Sequence, residues 1–223
     1  MNCREYSFIF SVIESEISDV VSALFHTILL HRTLPTLDFK GGAVSYNSYL
    51  GICDVDCKHL DLTYVCINSN QLIEKVATSI TAFVEAMHRD SCSTNNNGEV
   101  RGAINLEFVV HRKGCWLGPE ASVWERWVVN VILKTTDANE KDHRSQLTSQ
   151  LSDELRTVLE HFNSPSAYAP SLGSSQAETE HIIDFSMCGI SPYRFNINHF
   201  TNSCQSRSGV SVTMRRIFKD VRF

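Results

Sequence analysis

The stretch Ile104-Asn105-Leu106-Glu107-Phe108-Val109-Val110, followed by His111-Arg112-Lys113-Gly114-Cys115-Trp116-Leu117-Gly118-Pro119-Glu120 and then by Trp124-Glu125-Arg126-Trp127-Val128-Val129-Asn130-Val131-Ile132-Leu133, decides the fold. Ile104, Leu106, Phe108 and Val110 alternate with polar or small residues, and the run from Trp124 resumes strand character, so the whole reads as a β-hairpin. Gly114, Gly118 and Pro119 punctuate its turn, near whose tip stand Trp116 and Leu117. Burying a large apolar side chain contributes about 1.5–3 kcal/mol, so a tryptophan at a tip either folds back onto its own sheet or is covered by something else, such as a partner protein. Periodicity leaves both readings open.

Upstream, Tyr6, Phe8, Phe10 and Val12 show the two-residue period of a first strand, largely apolar on both faces. Ile17, Val20, Val21, Leu24, Phe25, Ile28 and Leu29 then fall at helical spacing, with Glu14, Glu16 and Asp19 at the start and His26, His31 and Arg32 toward the end. Residues 33–51 read as a connection, and Asp54-Val55-Asp56-Cys57 leads into a strand over Leu60–Ile67. A second helix carries Leu72, Ile73, Val76, Ile80, Phe83, Val84 and Met87 on one stripe, with Asn68 and Ser69 as candidate caps, and ends before the polar tract Ser91–Gly98, read as a mobile loop. Downstream, a third helix begins at 137–139, shows Leu147, Leu151, Leu155, Val158, Leu159 and Phe162 on one face, and stops at Asn163-Ser164-Pro165. Residues 163–179 read as an irregular crossing segment. Ile182, Ile183 and Phe185 suggest a short turn or strand. Tyr193, Phe195 and Ile197 alternate, as do Val210, Val212 and Met214, giving two late strands that return to the sheet. The expectation is an α+β fold, three helices packed on a largely antiparallel sheet.

Composition narrows the function classes. With 223 residues, folding buries roughly 72% of the unfolded chain's surface, enough for a core without covalent staples. The eight cysteines are scattered, no basic stretch followed by an apolar one opens the sequence, and no Asn-x-Ser/Thr acceptor occurs, so reduced thiols in a cytoplasmic setting are expected. No apolar run approaches the ~20 residues of a membrane-spanning helix. A net charge of −5 and a pI near 6.0 argue against nucleic acid as partner.

Constellations that carry chemistry are sparse. Cys53-x3-Cys57-x-His59, completed by His26 or Cys66, is the best local metal cluster and underlies an alternative reading as a zinc-dependent enzyme, although structural zinc sites space their ligands in tighter pairs. Asp54, Asp56 and Asp61 lack the further oxygens, central glycine and closing glutamate of a calcium loop and read as a solvated turn. There is no Gly-x-Ser-x-Gly elbow, and Gly41-Gly42 has neither the lysine of a phosphate loop nor dinucleotide-binding spacing. Arg215, Arg216, Lys219 and Arg222 form a basic end that reads as solvated. No catalytic group, cofactor or metal site is expected.

Eight strings, in order along the chain, resemble the autophagy-related protein 101 family: Met1-Asn2-Cys3-Arg4, His26-Thr27-Ile28-Leu29-Leu30-His31-Arg32, Asp54-Val55-Asp56-Cys57, Asp61-Leu62-Thr63-Tyr64-Val65, Leu106-Glu107-Phe108, Trp124-Glu125-x-Trp127, Pro192-Tyr193, and Ser211–Asp220. The resemblance implies a non-enzymatic HORMA domain over residues 1–223 with a C-terminal safety-belt segment. It implies heterodimerisation with the HORMA domain of autophagy-related protein 13, around the third helix at polar positions from Asn139 to Phe162, and membership of the ULK-type kinase complex at autophagosome formation sites. It also implies that residues 111–123 are the loop called the WF finger, which recruits downstream factors. The family's Trp-Pro-Phe becomes Trp116-Leu117-Gly118 here, an aliphatic in place of the second aromatic, which forgoes about 0.5–1.5 kcal/mol of aromatic contact. The alternative within the same fold is a HORMA protein that clasps a peptide under its C-terminal segment.

Overall fold

A computed structural model describes residues 3–40, 43–46, 49–93, 100–115, 118–134, 140–165 and 167–201. In chain order the elements are β1 (Arg4–Val12), a 3-10 turn (Glu14–Glu16), α1 (Ile17–His31), β2 (Thr33–Pro35), β3 (Leu37–Lys40), β4 (Ala43–Tyr46), β5 (Ile52–Asp56), β6 (Thr63–Ile67), α2 (Asn70–Ser93), β7 (Arg101–Cys115), β8 (Gly118–Leu133), α3 (Glu140–Asn163), α4 (Gln176–Thr179), β9 (Ile190–Pro192) and β10 (Phe195–Thr201). The expected α+β arrangement holds, with helices packed on a largely antiparallel sheet of order β1-β8-β7-β10. The β7–β8 hairpin is its centre. β10 pairs antiparallel with β7, from Phe195 opposite Phe108 to Thr201 opposite Gly102, while β1 pairs parallel with β8, from Arg4 opposite Glu125 to Val12 opposite Leu133.

Register puts whole rows of apolar side chains on one face. Tyr6, Trp127 and Leu106 share a row, as do Phe8, Val129 and Ile104, and these residues enter one core with α1, α2 and α3. Helix α1 is buried nearly all round, including Asp19 and His26. A helix hydrophobic on every side must be surrounded, and α1 has α2 and α3 beside it and β6 against it. The Asp19 carboxylate accepts a hydrogen bond from the His59 backbone N–H at 2.6 Å, which fastens the β5–β6 connection to the start of α1. His26 stacks on Tyr64 of β6, ring centroids 5.8 Å apart.

The structure departs from the sequence expectations where segments are short. Residues 33–51 hold three strands: β2 pairs with the distant β9, and β3 pairs with β4. Runs of three or four residues are too brief for alternation to register, and Pro35 is tolerated because β2 is an edge strand. Asp54-Val55-Asp56, expected as a lead-in, belongs to β5. Helix α2 continues to Ser93, beyond the expected stop before Ser91. The end of the crossing segment is helical, because the Ser175 hydroxyl caps α4 by accepting from the Glu178 N–H at 3.3 Å. The expected strand at Val210, Val212 and Met214, the helix start at 137–139 and the tract from Thr94 to Gly98 lie outside the described residues.

One buried cluster ties these elements together. Arg32, just after α1, donates from Nε to Glu125 Oε1 at 3.1 Å and from Nη2 to Glu125 Oε2 at 2.6 Å, with the two side chains 6% and 0% exposed. Nη2 also donates to the Tyr168 carbonyl at 3.1 Å, and the Trp127 indole N–H donates to Glu125 Oε1 at 2.8 Å. The guanidinium lies 4.6 Å from the Phe162 ring centroid and 5.2 Å from that of Trp124. The Tyr193 N–H donates to the Arg32 carbonyl at 2.9 Å. A β-bulge explains how Trp124 joins: Phe108 pairs with Glu125 but Val109 with Val123, so Trp124 is the extra residue, and it and Glu125 are both buried although adjacent.

Two predictions follow from this core. Removing one partner of a buried, hydrogen-bonded ion pair strands the other charge, so Arg32→Met lowers unfolding free energy by about 3–5 kcal/mol in chemical denaturation. The double variant Arg32→Met/Glu125→Gln, in which a neutral amide can still accept from Trp127, recovers part of that loss; a double variant no more stable than Arg32→Met contradicts the account. Burial lowers the His26 pKa from 6.5 to about 4. The folded state therefore holds His26 neutral while the unfolded chain binds a proton, so stability is full above pH 6.5 and falls as pH drops toward 4, by about 3 kcal/mol for this residue. His31, His161 and His199 are also lowered by burial and act with the same sign. His26→Phe, which keeps a ring against Tyr64, flattens the His26 part of that dependence; an unchanged pH profile counts against it.

Candidate interaction surface at the end of the central hairpin

The hairpin outruns its neighbours. β1 reaches only Glu125 of β8 and β10 only Phe108 of β7, so Val109–Cys115 and Gly118–Val123 pair with each other as a two-stranded ribbon beyond the four-stranded sheet. Its register runs from Val109 opposite Val123, through Val110–Ser122, His111–Ala121 and Arg112–Glu120, to Cys115 opposite Gly118, with a second irregularity between Arg112 and Cys115. The root is held from one side: the Val109 N–H donates to the Arg194 carbonyl, and the His111 N–H to the His181 carbonyl, each at 2.9 Å. Exposure grows along the ribbon, Val109 being buried, Val110, Ser122 and Val123 partly exposed, and His111 and Ala121 exposed.

Trp116 and Leu117, the candidate site residues, are the two residues joining Cys115 to Gly118 and lie outside the described residues. What the structure supplies is their base. At the root, Trp124 is packed edge-on to Tyr168 and Tyr193, centroids 6.1 and 5.7 Å away, and tilted against Phe108 at 5.6 Å. Glu125, next to Trp124 along the chain, is held by Arg32, so the root of the ribbon is tied to the end of α1. A root anchored in the core with an extended end can present a short tip to a partner.

The residues of the metal reading are dispersed. Cys53 stands opposite Cys66, with sulfurs 3.2 Å apart, and not beside Cys57 and His59. The His59 backbone is taken by Asp19, and burial, followed by the charges of Asp19 and Asp56, pushes the Cys57 thiol up to about 12, away from the thiolate that a metal needs. Among the described residues no group of three or more His, Cys, Asp or Glu side chains is disposed to hold a metal ion. Asp54 and Asp56 are exposed on β5, and Asp56 Oδ1 accepts from the Thr63 hydroxyl at 2.6 Å across the hairpin.

Local periodicity does not pair Arg32 with Glu125. A signal was present: an acidic residue in the apolar run Trp124–Leu133 must be paired if it faces the core.

Comparison with known proteins bears on the whole chain. The profile of the autophagy-related protein 101 family matches residues 10–176. Proteins named autophagy-related protein 101 from Xenopus tropicalis, Mus musculus and Homo sapiens are each 28% identical to it over 223 residues, covering 99% of this chain and 98% of theirs. The Arabidopsis thaliana protein of that name is 25% identical over 170 residues, 72% of this chain and 71% of its own. A match that spans most of the chain, on a fold whose central hairpin and first helix carry resembling strings, means that the chain belongs to the autophagy-related protein 101 family.

Proposed function

We propose that the protein is a non-enzymatic adaptor in autophagy initiation, a single HORMA domain over residues 1–223 that pairs with the HORMA domain of autophagy-related protein 13 and stabilises it within the ULK-type kinase complex. Membership of the autophagy-related protein 101 family supports a role in autophagy. On this reading the protein works in the cytoplasm at the autophagosome formation site, and it meets downstream factors through Trp116 and Leu117 at the end of the ribbon. The observation that supports the finger is the ribbon itself, whose strands run on past the ends of β1 and β10. Among the described residues no helix is long and apolar enough to cross a membrane.

The division of labour is direct. A body held by buried apolar rows and the Arg32–Glu125 pair supplies the mount, and an aromatic at its tip supplies the contact energy. Tryptophan is among the commonest hot-spot residues because it brings large area at little conformational cost. Leu117 adds apolar area without stacking.

The test is co-purification from cells with mass spectrometry. Wild type brings down an autophagy-related protein 13 homologue and further factors. Trp116→Ala keeps the first and weakens the others by about 2 kcal/mol or more, roughly thirty-fold in affinity. Trp116→Ala retaining every partner at full strength removes the finger from the proposal, and the absence of an autophagy-related protein 13 homologue from the wild-type pull-down removes the dimer.

A further inference from the structure

Cys53 and Cys66 are directly opposed in the β5–β6 hairpin, Sγ to Sγ 3.2 Å. The bonds from the Asn68 N–H to the Gly51 carbonyl and from the Cys57 N–H to the Leu62 carbonyl mark the hydrogen-bonded rows of this ladder, and the Cys53–Cys66 row lies two residues along from the first, in the same class. Such rows hold Cα atoms about 5.5 Å apart. Disulfides span Cα separations of about 4.4–6.8 Å, so the backbone spacing of the row suits one, and closure draws the two Cβ atoms together by about 1 Å from the usual spacing of such a row. A bridging ion fits less well: two thiolates on tetrahedral zinc at about 2.3 Å sit roughly 3.8 Å apart, and no third ligand among the described residues completes a site.

We propose that Cys53 and Cys66 are a dithiol site that closes to a cross-strand disulfide in response to a small-molecule disulfide such as oxidised glutathione. Cys53 is part-exposed and Cys66 is buried, so the oxidant arrives at Cys53. The Cys53 thiolate attacks one sulfur of oxidised glutathione, forming a mixed disulfide and releasing one glutathione, which takes up a proton. Cys66 then loses its proton and displaces the second glutathione from the Cys53 sulfur. The two protein thiols give up two electrons and two protons, and one oxidised glutathione leaves as two reduced ones. Burial, and after it the contact with Cys53, push the Cys66 thiol upward, so closure is slow and answers a sustained change in the glutathione pool. The bond pins strands that cover α1: β6 packs against that helix, and Tyr64 stacks on His26. Cross-linking a loop of about 15 residues removes freedom mainly from the opened state, so the hairpin detaches less often.

The experiment equilibrates the full chain in buffers of stepped reduced-to-oxidised glutathione ratio, quenches with acid, alkylates free thiols and maps peptides. Expected are a linked Cys53–Cys66 peptide that grows with oxidation, a Tm higher by several degrees, and amide exchange over residues 52–67 slowed about tenfold or more. Cys53→Ser abolishes all three, whereas Cys57→Ser retains them. Full alkylation of both thiols at the most oxidising ratio, arrest at a glutathione adduct on Cys53, or linkage of Cys66 to another cysteine overturns the proposal. A linked pair with unchanged Tm and exchange overturns the pinning.

Discussion

The Arg32–Glu125 ion pair is the constraint on which the layout depends. Two charges inside a core cost several kcal/mol each in lost hydration, and only a tightly made, fully bonded pair offsets that. Here the second carboxylate contact goes to the Trp127 indole and a further guanidinium donor to the Tyr168 carbonyl, so both ions are supplied by groups from separate parts of the chain. The consequence is positional. Arg32 follows α1, Glu125 is in β8, Tyr168 in the crossing segment and Phe162 at the end of α3, while Tyr193 holds the Arg32 backbone. Separating Arg32 from Glu125 strands a charge, so the end of α1 and β8 are held in place relative to each other. The apolar core supplies most of the driving force, and the pair adds a contact that only this arrangement of α1 and β8 satisfies.

That contact reaches the ribbon through the bulge at Trp124. Without the extra residue, strict alternation would send Trp124 and Glu125 to opposite faces. With it, the ring closes over the guanidinium and the carboxylate points inward, and the strand continues past the sheet with a new twist. The anchoring and the projection are thus two results of one backbone irregularity. Sheet edges are handled separately: the parallel partner β1 covers β8, and β10 covers β7, only as far as the bulge.

Much of this was legible in the sequence because long elements repeat their signal. The α1 stripe from Ile17 to Leu29, the α2 stripe from Leu72 to Met87 and the alternation of Ile104, Leu106 and Phe108 each state their period several times over, and each element formed. β2, β3 and β4 have three or four residues and state theirs barely once; what places β2 is its pairing with β9, which no local pattern encodes. The α4 turn was readable from Ser175 and Glu178 at capping spacing, although the surrounding Ser-rich tract masks it. For the candidate site, the hairpin and its two tip residues could be read from turn chemistry, whereas the root could not. Arg32 reads as a cation at a helix end and Glu125 as one residue of a strand-like run, and a bulge is invisible to alternation.

The eight resembling strings gain a physical meaning in three dimensions. Arg32 ends one, Trp124, Glu125 and Trp127 make another, and Tyr193 closes a third, and these meet in a single buried cluster although separated along the chain. Asp54-Val55-Asp56-Cys57 and Asp61–Val65 are likewise the two arms of one hairpin, in which Asp56 and Thr63 bond across the strands and Tyr64 reaches His26. Short matches scattered through a sequence are weak singly because each is a few residues long. Matches that assemble into contacts are stronger, since each string then specifies the surroundings of another. By that argument the β5–β6 hairpin is held to the body at Tyr64 and His59, and each of its arms carries a string that fixes the surroundings of the other.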